Sequence, residues 1–272
     1  MSNKTEQCRV KLAAIDLDGT LLGPDLTISP ENLRALRALN QRKIEIVIAS
    51  GRHYLSIRQF FKALPEVHWI VSVQGGEISD RERRLILARN FMDKPEVEAA
   101  LEEAARRGVT PIVYGVDGVF TTSPSNDDLK FYEYLSGMSP MQTPREKLLR
   151  IDVFKVIWAG TPEQISAFMT APCLGLKGVR THKQIVEFMP ESISKASGLQ
   201  SLATHLKISS SEAVAFGDAD NDIPMFKWAG LSVAMGHSWP AAIQSASITA
   251  PVGPPESALS RAINAMFERG LA

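Results

Sequence analysis

Three observations predict an α/β fold: a doubly wound parallel sheet with a second, α+β module inserted into it. Short apolar runs alternate with helical stretches in the first and last thirds of the chain, the rhythm of a parallel sheet with crossover helices. Those runs are apolar throughout instead of at every second residue, as strands covered on both faces are. The middle third abandons that rhythm for helices and hairpins.

The elements follow in order. Residues 10–17 (VKLAAIDL) form an apolar run of strand length. Residues 29–43 read as a helix, with Ser29 as N-cap, Pro30 at the first helical position, and Leu33, Leu36 and Leu39 on one apolar stripe. Residues 44–49 (IEIVIA) are β-branched and stop at Ser50-Gly51; residues 54–64 read as a helix ending before Pro65. Residues 68–73 (HWIVSV) are a third strand, followed by Gln74-Gly75-Gly76. The last third resumes the pattern: helix 195–205, strand 213–216 ending in Gly217-Asp218, short helix 223–228, strand 231–235 before Gly236, and closing helix 257–268.

The middle module contains helix 97–107, then an apolar stretch over 109–122 broken by the hairpin pair Asp117-Gly118. Helix 127–135, strand 153–158, helix 162–169 and a strand or hairpin over 179–189 complete it. The expected division is therefore a core of residues 1–83 and 190–272, with residues 84–189 inserted.

Composition narrows the function classes. The 272 residues give room for one large domain or two modest ones. With 30 basic and 30 acidic residues the formal net charge is zero, which argues against nucleic acid or an anionic membrane as partner. Cys8 and Cys173 make no metal pattern and read as free thiols in a reducing compartment. The first apolar stretch already contains Asp16, unlike a signal peptide. No uncharged apolar run reaches the roughly 18 residues of a membrane span, so a cytoplasmic location is expected.

The polar residues sit where the strands end: Asp16 and Asp18, Ser50, Gln74, Asp218, His237. Ligands of open parallel sheets bind at the carboxyl ends of the strands, so these side chains should gather on one edge. Asp16 and Asp18 are two apart and point to one side, and Asp218, Asp220 and Asp222 can add three more acids. Two carboxylates ~4 Å apart repel by roughly 4 kcal/mol at an effective dielectric of 20, so such a cluster calls for a cation. An all-oxygen donor set favours Mg²⁺ over zinc, and Mg²⁺ held by few carboxylates also binds substrate phosphate. The string DADND opens like a calcium loop, but Ile223 and Ala229 stand where that loop needs Gly and Glu.

The motifs D16-L-D-G-T20, S50-G-R52, K195 and G217-D-A-D-N-D222, in this order, resemble those of the haloacid dehalogenase superfamily. The inserted module between the second and third motifs, with I193-S-K-A196 and L231-S-V-A-M-G236, looks like its Cof-type phosphatases. The resemblance spans nearly the whole chain and implies a Rossmann-like core with an α/β cap. It implies Asp16 as nucleophile, forming an aspartyl-phosphate, and Asp18 as general acid and then base. The Asp16 and Asp218 side chains with the Asp18 carbonyl would hold Mg²⁺, and Asp222 would support the metal through water or orient Lys195. Ser50 and Lys195 would bind and neutralise the phosphoryl group, with Gly51, Arg52 and Asn221 as further substrate contacts.

The expectation is a Mg²⁺-dependent phosphatase of small phosphorylated metabolites, such as sugar phosphates or phosphorylated cofactors. Its rivals are a phosphomutase on sugar phosphates, which returns the phosphoryl group to sugar, and a non-catalytic phosphate-binding regulatory module. Asp18 argues for hydrolysis, since transporting ATPases of the superfamily carry Thr there and need membrane helices. Gln74, His237 and Ser257-Ala258 depart from the subfamily's usual residues. Arg81–Arg84 reads as a solvated hairpin, His182 as a structural or surface residue, and Trp69, Trp158, Trp228 and Trp239 as core or boundary packing. The sequence leaves oligomeric state open.

Overall fold

The computed structural model of the chain describes residues 10–170 and 178–271. Cys8 and Cys173, expected as free thiols, lie outside the described residues. From the N-terminus come β1 (Leu12–Ile15), α1 (Pro30–Gln41), β2 (Glu45–Ala49), α2 (Tyr54–Arg58), β3 (Val67–Ser72), β4 (Glu77–Asp80) and β5 (Ile86–Arg89). Then follow α3 (Lys94–Arg107), β6 (Thr110–Gly115), β7 (Val119–Thr121), α4 (Asp127–Ser136), β8 (Met141–Gln142), α5 (Arg145–Leu148), β9 (Val153–Ala159) and α6 (Pro162–Thr170). Next are β10 (Gly178–His182), β11 (Ile185–Phe188), α7 (Lys195–Leu206), β12 (Ala213–Gly217), α8 (Ile223–Trp228) and β13 (Leu231–Ala234). The chain closes with α9 (Pro240–Ser245), β14 (Ile248–Thr249) and α10 (Ala258–Glu268).

The described residues form two compact units. The first runs to Gly51, takes in Phe60–Ala88 and resumes at Ser194; the second holds Arg52–Gln59 and Arg89–Ile193. The chain thus leaves the first unit twice, at Gly51 and at Ala88.

In the first unit the sheet order is β14-β13-β12-β1-β2-β3-β4-β5. From β14 to β3 all neighbours are parallel, but β4 runs antiparallel to β3. The expectation of a parallel sheet is thus corrected at one edge, where a hairpin folds back. Leu12 and Ala14 pack with Leu199 and Leu202 of α7 on one face. Alternation turns Ala13 and Ile15 to the other face, where α1 and α10 pack together. All four β1 residues are without exposed surface; burying such a strand on both faces is what its unbroken apolar run encodes.

Three further corrections have identifiable causes. The helix expected over 54–64 ends at Arg58, and Phe61–Ala63 forms a separate 3₁₀ turn. Arg81 holds the carbonyls of that turn, donating to Phe61 O at 2.7 Å and Leu64 O at 2.9 Å. Arg81 and Arg83 are therefore not solvated hairpin residues: their side chains are 18% and 15% exposed, against 79% for Arg84. On α1, Leu33 is only half-buried and Asn32 takes its place inside. The Asn32 amide donates to Leu21 O and Glu256 O and accepts from Ser260 N, tying three segments together. Trp239, expected in packing, is 50% exposed.

The second unit has a six-stranded sheet of order β10-β11-β9-β6-β7-β8. The Asp117-Gly118 pair does join antiparallel strands β6 and β7, and residues 179–189 are a hairpin, β10–β11. Trp158 packs against Phe168 and Phe188 in its core, with ring centroids 4.9 and 4.5 Å apart. No helix among the described residues is long and apolar enough to cross a membrane.

Candidate active site

Strands β1 and β12 pair in parallel, Ile15 opposite Phe216, so both end at one level. Asp16 N–H still donates to Phe216 O at 2.9 Å. Asp16 follows Leu12 and Ala14 in alternation, so its carboxylate leaves the sheet on the α7 face. Lys195 is the first residue of α7. Ser194 caps that helix, accepting from Ser197 N–H at 3.2 Å while Ser197 Oγ receives the Ser194 N–H at 2.9 Å, which fixes where Lys195 begins.

Lys195 Nζ lies 2.5 Å from Asp16 Oδ1 and 2.6 Å from Asp222 Oδ1, all three groups being buried. A cation at a helix N-terminus is disfavoured by the helix dipole. Burial would also lower the Lys195 pKa, but the charges of Asp16 and Asp222 outweigh it and hold the ammonium protonated, its pKa raised. The other Asp222 oxygen accepts from the N–H groups of Asp218 and Ala219, at 2.9 and 3.1 Å. Both Asp222 oxygens are thus engaged: one sets Lys195, the other shapes the loop that carries Asp218.

Asp16, Asp218 and Asp222 offer oxygens within 4.8 Å of one another. Asp16 is pushed well above the usual carboxylate range by burial first, then by Asp222, with Asp218 and Asp18 adding and Lys195 opposing. Asp218 is pushed up to about 7, again by burial and then by Asp222. Its Oδ1 also receives the Thr20 hydroxyl at 3.4 Å. The single Lys195 charge does not neutralise this set, which is the condition under which carboxylates recruit a cation.

Each expected residue can be placed. Asp18 is solvent-exposed, and its charge acts on both Asp16 and Asp218. Gly19 turns the chain at φ +76°, and a Cβ there would stand 2.5 Å from Asp218 Oδ2. Ser50 is buried at the end of β2, its N–H on Val71 O at 2.9 Å. Gly51 follows it, half-buried. Asn221 Nδ2 donates to Gln74 Oε1 at 3.4 Å. Arg52 belongs to the second unit, where its Nη1 donates to Ser56 Oγ and Ser136 O, both at 3.1 Å. Two residues the sequence did not assign enter the picture. His237 Nε2 donates to Gly19 O at 2.9 Å, and Thr20 reaches Asp218. The signal for Thr20 was its place in the D-L-D-G-T string; His237 had only its position at a strand end.

Comparison with known proteins gives the family of the chain. The model of the haloacid dehalogenase-like hydrolases matches residues 13–259. The chain is 28% identical over 241 residues to an HMP-PP phosphatase of Serratia proteamaculans, with 85% of each chain covered. It is 29% identical over 238 residues to an HMP-PP phosphatase of Cronobacter sakazakii, again with 85% of each covered. Among solved structures, a haloacid dehalogenase-like hydrolase from Bacteroides thetaiotaomicron superposes with a TM-score of 0.85 at 26% identity, covering 95% of this chain and 100% of that one.

Proposed function

We propose, from the premise that this chain belongs to the haloacid dehalogenase-like hydrolase family and is a phosphatase of its Cof type, a Mg²⁺-dependent hydrolysis through an aspartyl-phosphate. The substrates are small phosphorylated metabolites, sugar phosphates or phosphorylated cofactors; the similarity to HMP-PP phosphatases supports that class. The cytoplasm is the proposed location.

The observation that carries this reading is the buried contact of Lys195 with Asp16 and Asp222, beside Asp218. The donor set fits Mg²⁺: all oxygens, close together, on three carboxylates that face a single ammonium. Asp16 and Asp218, with the Asp18 carbonyl, would hold the ion. Both Asp222 oxygens are engaged, by Lys195 and by two N–H groups, which supports its role as an orienting group. When bound, the ion supplies positive charge to the phosphoryl oxygens and to the crowded carboxylates.

The chain's own groups then divide the work. A carboxylate oxygen of Asp16 attacks phosphorus, the bond to the leaving oxygen breaks, and Asp18 delivers a proton to that oxygen. Water next attacks the aspartyl-phosphate, Asp18 takes its proton, and Asp16 is released with free phosphate. Lys195 keeps Asp16 aimed, favours its charged form and offsets charge on the phosphoryl group; Ser50 and Asn221 donate to its oxygens, with Gly51 beside them. Asp18's exposure gives it access to water and leaving group. The second unit, inserted between Ser50 and Lys195 in the sequence, carries selection of the organic part.

Replacing Asp16→Asn should abolish release of free phosphate from an aryl phosphate in Mg²⁺, by at least about 10³-fold, as expected for loss of a covalent nucleophile. Undiminished phosphate release would overturn the nucleophile assignment. Transfer to a second sugar hydroxyl without free phosphate would mark a mutase instead.

A further inference from the structure

The turn after β3 is built against local preference. Val73, Gln74 and Gly75 all take left-handed backbone, with φ of +52°, +58° and +99°. A β-branched residue at positive φ is a genuine outlier, and such conformations persist only where their surroundings over-determine them. The surroundings here are the candidate site. Gln74 N–H donates to Ser50 O at 2.9 Å. Gln74 Nε2 lies so close to Gly51 that a Cβ there would meet it at 2.6 Å. Gln74 Oε1 accepts from Asn221 Nδ2 at 3.4 Å. Gly75 sits against the residue before Lys195, where a Cβ would be 2.2 Å from Ser194 O. Gln74 is only 7% exposed.

We propose that Gln74 is a positioning residue of the phosphoryl site: its carboxamide and backbone tie the loop after β2, carrying Ser50 and Gly51, to the loop after β12, carrying Asn221. This rests on the phosphoryl-transfer reading above. These loops come from strands that are not neighbours in the sheet, since β1 lies between β2 and β12. Pairing through β1 sets the level at which both strands end but puts no bond between the two loops, whereas Gln74 bonds to both, its backbone N–H to Ser50 O and its carboxamide oxygen to Asn221. The hydrogen bonds of Gln74 go to Ser50 and Asn221, not to the proposed nucleophile Asp16 or proton donor Asp18. Its loss should lower turnover by misplacing Asn221 and Ser50, a displacement effect that ranges from about ten- to a hundredfold.

The test uses the full chain, Mg²⁺ and an aryl phosphate. Gln74→Met keeps the side chain's length and bulk without its hydrogen bonds, and Gln74→Ala removes both. Gln74→Met should melt close to the parent while kcat falls about tenfold and KM stays within about twofold. Combined with Asn221→Ala, it should cost no more than the worse single change, because the two act as one unit. The Asn221 side-chain amide resonances should also move in Gln74→Met, a readout independent of turnover. Unchanged kcat, losses that multiply in the double variant, or unmoved Asn221 resonances would overturn the proposal. Retained activity in Asp16→Asn would instead strike the reading beneath it, leaving the resonances to decide on the tie itself.

Discussion

Gly19 shows how narrowly a single residue is constrained by the candidate site. It needs positive φ to turn the chain between Asp18 and Thr20, and it needs to lack a Cβ because Asp218 Oδ2 occupies that space. Left-handed backbone costs a non-glycine residue about 1–2 kcal/mol, and the clash falls on a proposed metal ligand. Gly19→Ala should therefore lose both stability and function: a lower melting temperature, and a larger Mg²⁺ requirement for aryl phosphate turnover. Turnover at saturating Mg²⁺ should drop by about tenfold or more as Asp218 is displaced. An unchanged Mg²⁺ requirement would show that Asp218 gives way freely and is not held to a metal. The Gly after the two acids was legible in the sequence as a turn. The Asp218 carboxylate against it was not, because that contact spans about 200 residues of chain.

At the scale of elements, what could be read from sequence was what local periodicity encodes. The strands from β1 to β3, helices α1, α7 and α8 and the β6–β7 hairpin follow their own apolar patterns and caps. Where a distant side chain completes an element, the pattern misled. The stretch 54–64 carries helical spacing throughout, yet Arg81 takes the Phe61 and Leu64 carbonyls and turns the chain there instead. Nothing near residue 61 announces a partner twenty residues on. The Val73–Gly75 turn defeats propensity outright, since Val favours extended backbone. Arg81→Met should release the 3₁₀ turn, leaving the Phe61, Leu64 and Val67 carbonyls without their charged donor. The expected loss is about 1.5–3 kcal/mol, seen as a lower denaturant midpoint, with kcat for an aryl phosphate unchanged because no site residue is touched. A fall in kcat with stability intact would place Arg81 in the site's support instead.

Across the whole molecule, the candidate site is a product of tertiary structure: Asp16 comes from β1, Lys195 from α7, and Asp218 and Asp222 from the loop after β12. Folding confines three carboxylates against one ammonium, and the sign of the resulting pH dependence can be worked out. Asp16 and Asp218 sit above the ordinary carboxylate value of 3.8, Asp218 at about 7. The folded chain therefore holds protons at this site more tightly than the unfolded chain does. The site's contribution to stability is greatest in acid and declines as pH rises from about 4 through about 7. Bound Mg²⁺ competes with those protons, so its stabilisation must grow over the same window. A ligand at a hundred times its Kd adds about 2.7 kcal/mol, or several degrees of melting temperature in a chain of this size. Calorimetric scans with Mg²⁺ and with EDTA should differ by more at pH 8 than at pH 5. Equal shifts at the two pH values would mean that the ion does not bind at the Asp16 and Asp218 carboxylates.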